Sequence, residues 1–246
     1  MTEPSFQFRP FRNFDPPELV AVWQSRQDQP CWNRALTVEM FEQFVLGKPY
    51  FDPAGLVVAE NNDQVLGFAH AAFGANDAED GITNELGTTC LLAVRPHGDE
   101  AQVAAGLLQR SEAYLHEHGA KVIYGGGIRP LNGFYLGLYG GSELPGALEC
   151  DTVAQAAFTG HGYREIDRTL LFRRDLSTFE AVVDRRQMQV RRQMVVEVVI
   201  DPPSRTWWEA CTLGPFDLLR FSLVPCSWRY ASERCKSPAA TWASSP

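Results

Sequence analysis

Residues 88–119 read TTCLLAVRPHGDEAQVAAGLLQRSEAYLHEHG. The first seven are β-branched or aliphatic around one cysteine, as in a buried strand, and Pro96 ends the run. Small residues then open a segment in which Ala104, Leu108, Ser111 and Leu115 recur with the spacing of one helical face, and Gly119 supplies a C-cap. The spacing predicts a strand over 86–94 and a helix over about 99–118. A strand, a turn and a helix start form a place where backbone amides hold phosphates.

Working outward, Phe6, Phe8 and Phe11 alternate with polar residues, a first strand that Pro10 limits to an edge. Asp15 before Pro16 and Pro17 predicts an N-cap and a short helix with Leu19, Val20 and Trp23 inward. Thr37 is placed to cap a second helix that buries Phe41, Phe44 and Val45. Residues 55–60 and 64–73 are apolar runs joined by Asn61, Asn62 and Asp63, a β-hairpin signature. Residues 121–124 predict a short central strand. A glycine-rich but apolar loop follows over 125–146, the kind that lines pockets. Residues 153–158 predict a short helix and 163–173, which alternate, a last strand. Beyond Leu176 the pattern restarts, with strand-like 187–200, a short helix at Trp207 and Trp208, and a strand over 216–224. From Pro225 onward periodicity is lost, as in a frayed tail.

Apolar residues make up 45% of the 246 and charged residues 21%, ordinary values for a folded chain. A net charge of −8 argues against sequence-independent nucleic-acid binding, which needs clustered cations. Cys31, Cys90, Cys150, Cys211, Cys226 and Cys235 show no paired metal or redox spacing, so no metal is expected and reduced thiols are. No apolar run is long enough for a membrane span and no secretory leader is evident, which predicts a cytoplasmic protein.

Three stretches carry a resemblance to the GNAT acyltransferase superfamily: LLAVRPHGDEAQVAAGLLQRSEAYL (91–115), AKVIYGG (120–126) and DTVAQAAFTGHGYREIDRTLLFRRDL (151–176). They resemble, in order, the family's fourth strand with its pyrophosphate turn and long helix, the fifth strand that splays away to admit pantetheine, and the helix before the final strand. The resemblance implies an α/β (α+β) domain over residues 5–176: a mixed, mostly antiparallel central sheet with a splayed parallel strand pair, flanked by helices. Residues 177–225 then form a partial second GNAT-like unit or extension, as in a tandem GNAT protein with an incomplete second half, and 226–246 a disordered tail.

The resemblance further implies acetyl-CoA, or another acyl-CoA, as co-substrate and a small-molecule or peptide amine as acceptor. The pyrophosphate turn aligns on Asp99, Gln102 and Ala104, of which Ala104 fits the family's pattern. The expected cofactor contacts are Gln102, Val103 and Ala104 at the pyrophosphate turn and Leu92, Ala93 and Val94 where the strands part, a backbone amide there stabilising the oxyanion. The family's tyrosine general acid is replaced by Phe158; among Tyr135, Tyr139 and Tyr163, Tyr139 is the candidate acid. Glu85, with Glu149 and Asp151 behind it, is the candidate base. Cys90 reads as a buried structural thiol. The expected function is direct N-acyl transfer in a ternary complex, and the alternative is a non-catalytic GNAT-like binding or assembly module.

Overall fold

A computed structural model describes residues 6–26, 36–128, 131, 133–136, 146–170, 175–180 and 184–227. These fall into two units, one comprising the residues up to 170 together with 204–215, the other those of 175–203 and 216–227.

The first unit is built on a five-stranded sheet in the order β1-β2-β3-β4-β5: β1 Gln7–Pro10, β2 Leu56–Asn61, β3 Gln64–Ala75, β4 Ile82–Val94 and β5 Val122–Gly125. Neighbours from β1 to β4 are antiparallel and β4 with β5 is parallel, in register Leu86↔Val122 to Thr89↔Gly125. The mixed sheet and its parallel pair are as the sequence predicts. The β2–β3 hairpin turns on Asn62 and Asp63, both at positive φ (47° and 63°), conformations that these two residue types tolerate.

Helix α3, Glu100–Glu117, lays Val103, Ala104, Leu107 and Leu108 on one sheet face together with α4, Thr152–Gly160. The other face is covered by α1, Pro16–Gln24, and α2, Val38–Phe41, which bury Leu19, Trp23 and Phe41 against Phe68 and Ala72. Both faces being covered, β3 reads as a nearly continuous apolar run rather than an alternation. Thr37 caps α2 by accepting from the Met40 amide, at 3.2 Å. Helix α6, Trp207–Leu213, belongs to this unit: the Trp208 ring lies 4.6 Å from that of Tyr50, and Lys48 Nζ donates to the Cys211 and Thr212 carbonyls at 2.8 and 3.0 Å.

Three sequence expectations change. Asp15 is helical in its own backbone and makes no side-chain cap; its buried carboxylate instead accepts from Arg9 Nη1 and Nη2 (2.8 and 2.9 Å) and from the Arg12 amide (2.7 Å). A charged guanidinium outcompetes the orphan amides of the helix end. The last strand expected over 163–173 is absent among the described residues 163–170, which have no hydrogen-bonded neighbour strand; their apolar residues Tyr163, Ile166 and Leu170 are three and four apart, not two. Residues 187–193, expected as strand, lie in α5, Arg185–Gln193, whose RRQMQVRRQ is rich in long straight side chains that favour helix and whose Asp184 accepts from the Gln187 amide at 2.7 Å.

The second unit consists of α5 and an antiparallel pair, β6 Met194–Ile200 and β7 Leu219–Pro225. No helix among the described residues is long and apolar enough to cross a membrane.

Gly74 fixes where the loop after β5 crosses the sheet: a Cβ there would sit 2.4 Å from Leu131 Cα. Because backbone cannot yield as a side chain can, Gly74→Ala is expected to cost about 1–3 kcal/mol, read as a drop in the urea midpoint without change in slope. A midpoint equal to wild type would show that residue 131 does not pack there.

Candidate functional site

Strands β4 and β5 run side by side only as far as Thr89 and Gly125. The Gly126 amide makes one more bond, to the Thr89 carbonyl at 2.9 Å, and then the chain turns away through a left-handed Gly126 (φ +84°). Beyond Thr89 the β5-facing edge of β4 has no strand partner among the described residues. A parallel pair that parts in mid-strand leaves a crevice at the strands' carboxyl ends, with backbone amides along one wall. Leu92, Ala93 and Val94 lie on that wall, their side chains buried in the core.

The crevice is narrow. Gly146, Ala147, Leu148 and Phe158 occupy it, leaving a cavity of about 20 Å³ bounded on the other side by Cys90, Leu91 and Leu92. Gly126 admits this segment: a Cβ on it would fall 2.5 Å from the Ala147 nitrogen. Asp151, just before α4, is clamped by Arg26 from the end of α1 in a buried ion pair of 2.6 Å, and its carboxylate also accepts from the Ala154 amide at 3.1 Å. That carboxylate is fully engaged in structure. Glu149 is exposed.

At the far end of β4 the chain enters α3 through residues 95–99. The Gln102 and Val103 amides are already bonded to the Asp99 carbonyl, and the Val103 and Ala104 side chains are wholly buried under the sheet. The donors that point outward lie earlier, at residues 97–100, and an anion is already there. Glu100 Oε1 accepts from the His97 amide at 2.8 Å, and backbone amides, first its own and then those of Gly98 and His97, hold its carboxyl below the usual carboxylate range. The chain thus places its own carboxylate at the turn into α3, an arrangement that the sequence shows only as a glutamate three residues after His97.

Glu85 lies four residues before Thr89 on β4, so about 13 Å back along the strand from the parting point. It is exposed and pairs with Lys121 Nζ at 2.5 Å. Tyr139 lies outside the described residues. The Cys90 thiol, 3% exposed, is pushed up to about 12 by burial, which suits a structural rather than a nucleophilic cysteine.

On the α1–α2 face, behind the crevice, His70 of β3 stands opposite Leu91 in the β3–β4 register. It is fully buried among aromatic rings, and burial pushes its imidazole down to about 3, with nearby Asp52 opposing weakly. Its Nδ1 lies 2.8 Å from the Tyr135 hydroxyl. A lone histidine inside the apolar run VLGFAHAAF is the sequence signal that could have marked this site. Finally, an open groove of about 1350 Å³ runs along β5, lined among others by Val122, Tyr124, Phe158 and Arg164, with His161 Nδ1 3.0 Å from Glu112 Oε2.

No protein-family model and no curated protein matches the sequence. Among solved structures the chain is similar to N-acetylglutamate synthase from Neisseria gonorrhoeae complexed with coenzyme A and N-acetyl-glutamate, at 18% identity and a TM-score of 0.36 over 48% of this chain and 24% of that one. It therefore spans about a quarter of the synthase chain. It is also similar to an aminoglycoside acetyltransferase from an uncultured soil metagenomic sample, solved with trehalose (12% identity, TM-score 0.46, 70% of this chain and 97% of that one). A third similar structure is a transcriptional regulator from Bacillus halodurans C-125 (12% identity, TM-score 0.46, 69% of this chain and 99% of that one).

Proposed function

We propose that residues 5–176 form an acyl-CoA-dependent N-acyltransferase domain that passes an acyl group, acetyl in the simplest case, directly to an amine. The observation that carries this reading is the parting of β4 from β5 beyond Thr89, which leaves those amides of residues 90–94 that do not bond to β3 without a strand partner beside a crevice. Amides fixed in a strand cost no reorganisation when charge develops on a thioester oxygen, and the α3 turn offers further amides to a pyrophosphate. In the step itself the amine nitrogen attacks the thioester carbonyl, the C–N bond forms as the C–S bond breaks, and the proton lost by the nitrogen balances the one gained by the thiolate. Phe158 cannot give that proton, so the acid is another group such as Tyr139, or water. Glu85 serves as base only through intervening water. The acyl-CoA enters by displacing Gly146–Ala147–Leu148 from the crevice.

Calorimetric titration with acetyl-CoA, followed by thiol release across a panel of amines, tests the reading. Binding with release of CoA thiol is the expected result; no binding at millimolar acetyl-CoA would overturn it. A second reading, a non-catalytic GNAT-like module, is favoured by the filled crevice and by Glu100 at the turn, and binding without release on any amine would select it.

Glu100 supplies a sharper prediction. If the pyrophosphate is held at residues 97–101, the Glu100 carboxylate competes for the same amides and repels the ligand. Glu100→Gln is expected to tighten acetyl-CoA binding about tenfold, a gain that shrinks as salt is raised. Unchanged or weaker binding would place the pyrophosphate elsewhere.

A further inference from the structure

Each strand of the second unit's antiparallel pair alternates its side chains between two faces. In the observed register Val196 stands opposite Leu223, Val198 opposite Phe221 and Ile200 opposite Leu219, so these three cross-strand pairs share one face. All six side chains are exposed, Val198 the least at 49% and Ile200 the most at 72%. The charged residues within the two strands, Glu197 and Arg220, lie on the other face.

A two-stranded ribbon alone is marginal in water, and an apolar sheet face is stable once another layer covers it. The six side chains present about 600 Å² of surface, so two copies of the face would bury about 1,200 Å² between them, the lower end of the range for specific, stable interfaces. The ribbon also differs in charge between its ends. Arg191 and Arg192 close α5 just ahead of β6, whereas Asp201 follows the last residue of β6 and Asp217 lies two residues before β7. All four are exposed. The Asp201 amide donates to the Leu218 carbonyl at 2.8 Å, which keeps both aspartates at the same end, opposite the arginines.

That polarity makes the face complementary to itself in one direction. A two-fold axis through the middle pair, Val198 and Phe221, lays the Ile200–Leu219 pair of one copy on the Val196–Leu223 pair of the other and each anionic end on a cationic one. Stacked the same way round, the two ribbons would set like charges together. A partner of uniform charge would match one end and be repelled by the other.

We propose that this face is a dimer interface, covered by the same face of a second copy of the chain with the two ribbons antiparallel. The apolar pairs supply the affinity and the charged ends set the direction. None of the residues involved lies within 5–176, so the contact is independent of the acyltransferase reading.

Sedimentation velocity of the full chain, with reductant present and between about 1 and 100 μM, tests the proposal. A dimer that dissociates on dilution is the expected result. Phe221→Glu places a carboxylate at the centre of the contact and should weaken association about a hundredfold, leaving monomer across the range. Val198→Lys, on the other strand, should do the same and stands in should circular dichroism show that Phe221→Glu alters the ribbon. Asp217→Arg should weaken the dimer about fivefold, and adding Arg192→Glu should restore it. A wild-type monomer throughout the range would overturn the proposal and leave the face to another segment of the chain or to a different protein. A dimer that survives both Phe221→Glu and Val198→Lys would overturn it by placing the contact elsewhere, and so would association that continues past the dimer, since a two-fold contact closes on itself. Failure of Arg192→Glu to restore the Asp217→Arg dimer would overturn the antiparallel arrangement.

Discussion

Asp151→Ala is expected to destabilise the first unit by about 3–5 kcal/mol, because it strips a buried guanidinium of its carboxylate and a helix of its cap at once. Arg26 and Asp151 are 5% and 4% exposed, and a single oxygen, Oδ1, serves both the Arg26 Nη2 at 2.6 Å and the Ala154 amide. Asp151→Asn keeps an acceptor for both and should cost less than half as much. Arg26→Met with Asp151→Asn removes the buried charge while retaining the cap, and should recover most of the loss. Urea unfolding of the four proteins decides it. A deficit under about 1 kcal/mol for Asp151→Ala would mean that water reaches the pair, since exposed pairs contribute no more than that. The consequence for function is local: the pair ties the end of α1 to the start of α4 and so fixes the segment that fills the crevice.

Acid should unfold this protein earlier than its carboxylates alone require. His70 binds a proton near 6.5 when exposed in the unfolded chain, but burial in the folded chain pushes it down to about 3. Between those values the unfolded state holds more protons, so stability rises with pH. The contribution is fully present above about pH 6.5 and is lost as pH falls toward 3, on the order of 1 kcal/mol for each unit. His70→Leu combined with Tyr135→Phe removes the titrating ring without orphaning the phenol, and should flatten the plot of unfolding free energy against pH between 4 and 6 relative to wild type. Parallel plots would show that the imidazole is reached by water in the folded state. Asp52, the acidic group acting on His70, accepts from the Tyr114 hydroxyl at 2.7 Å.

What could be read in advance was whatever rests on local chemistry. The Asn62–Asp63 turn, the face of α3 and the cap at Thr37 each follow from residues within a few positions of one another. The parallel pairing of β4 with β5 followed from a resemblance rather than from spacing. Asp15 shows the limit, since its competitor for the cap is Arg9, a residue whose side chain arrives from the preceding strand, β1. Residues 187–193 show another, because a stretch with alternating apolar residues and long side chains satisfies both periods until a cap at Asp184 decides. The site was less legible still. That Glu100 would turn back on the His97 amide, or that His70 would meet the Tyr135 hydroxyl across 65 positions, depends on packing that no window of sequence contains.

The two sheets differ in how they meet other chains. Among the described residues the edge strands of the larger sheet, β1 and β5, are four residues each, so they offer a neighbouring strand few amides to begin a ladder. Strands β6 and β7 are seven residues each and carry Val196, Val198, Ile200, Leu219, Phe221 and Leu223 exposed on one face. An exposed apolar face of that extent favours association with another apolar surface. Polar substitutions among these six side chains, remote in sequence from the crevice, are therefore expected to raise solubility, read as the concentration at which the protein precipitates.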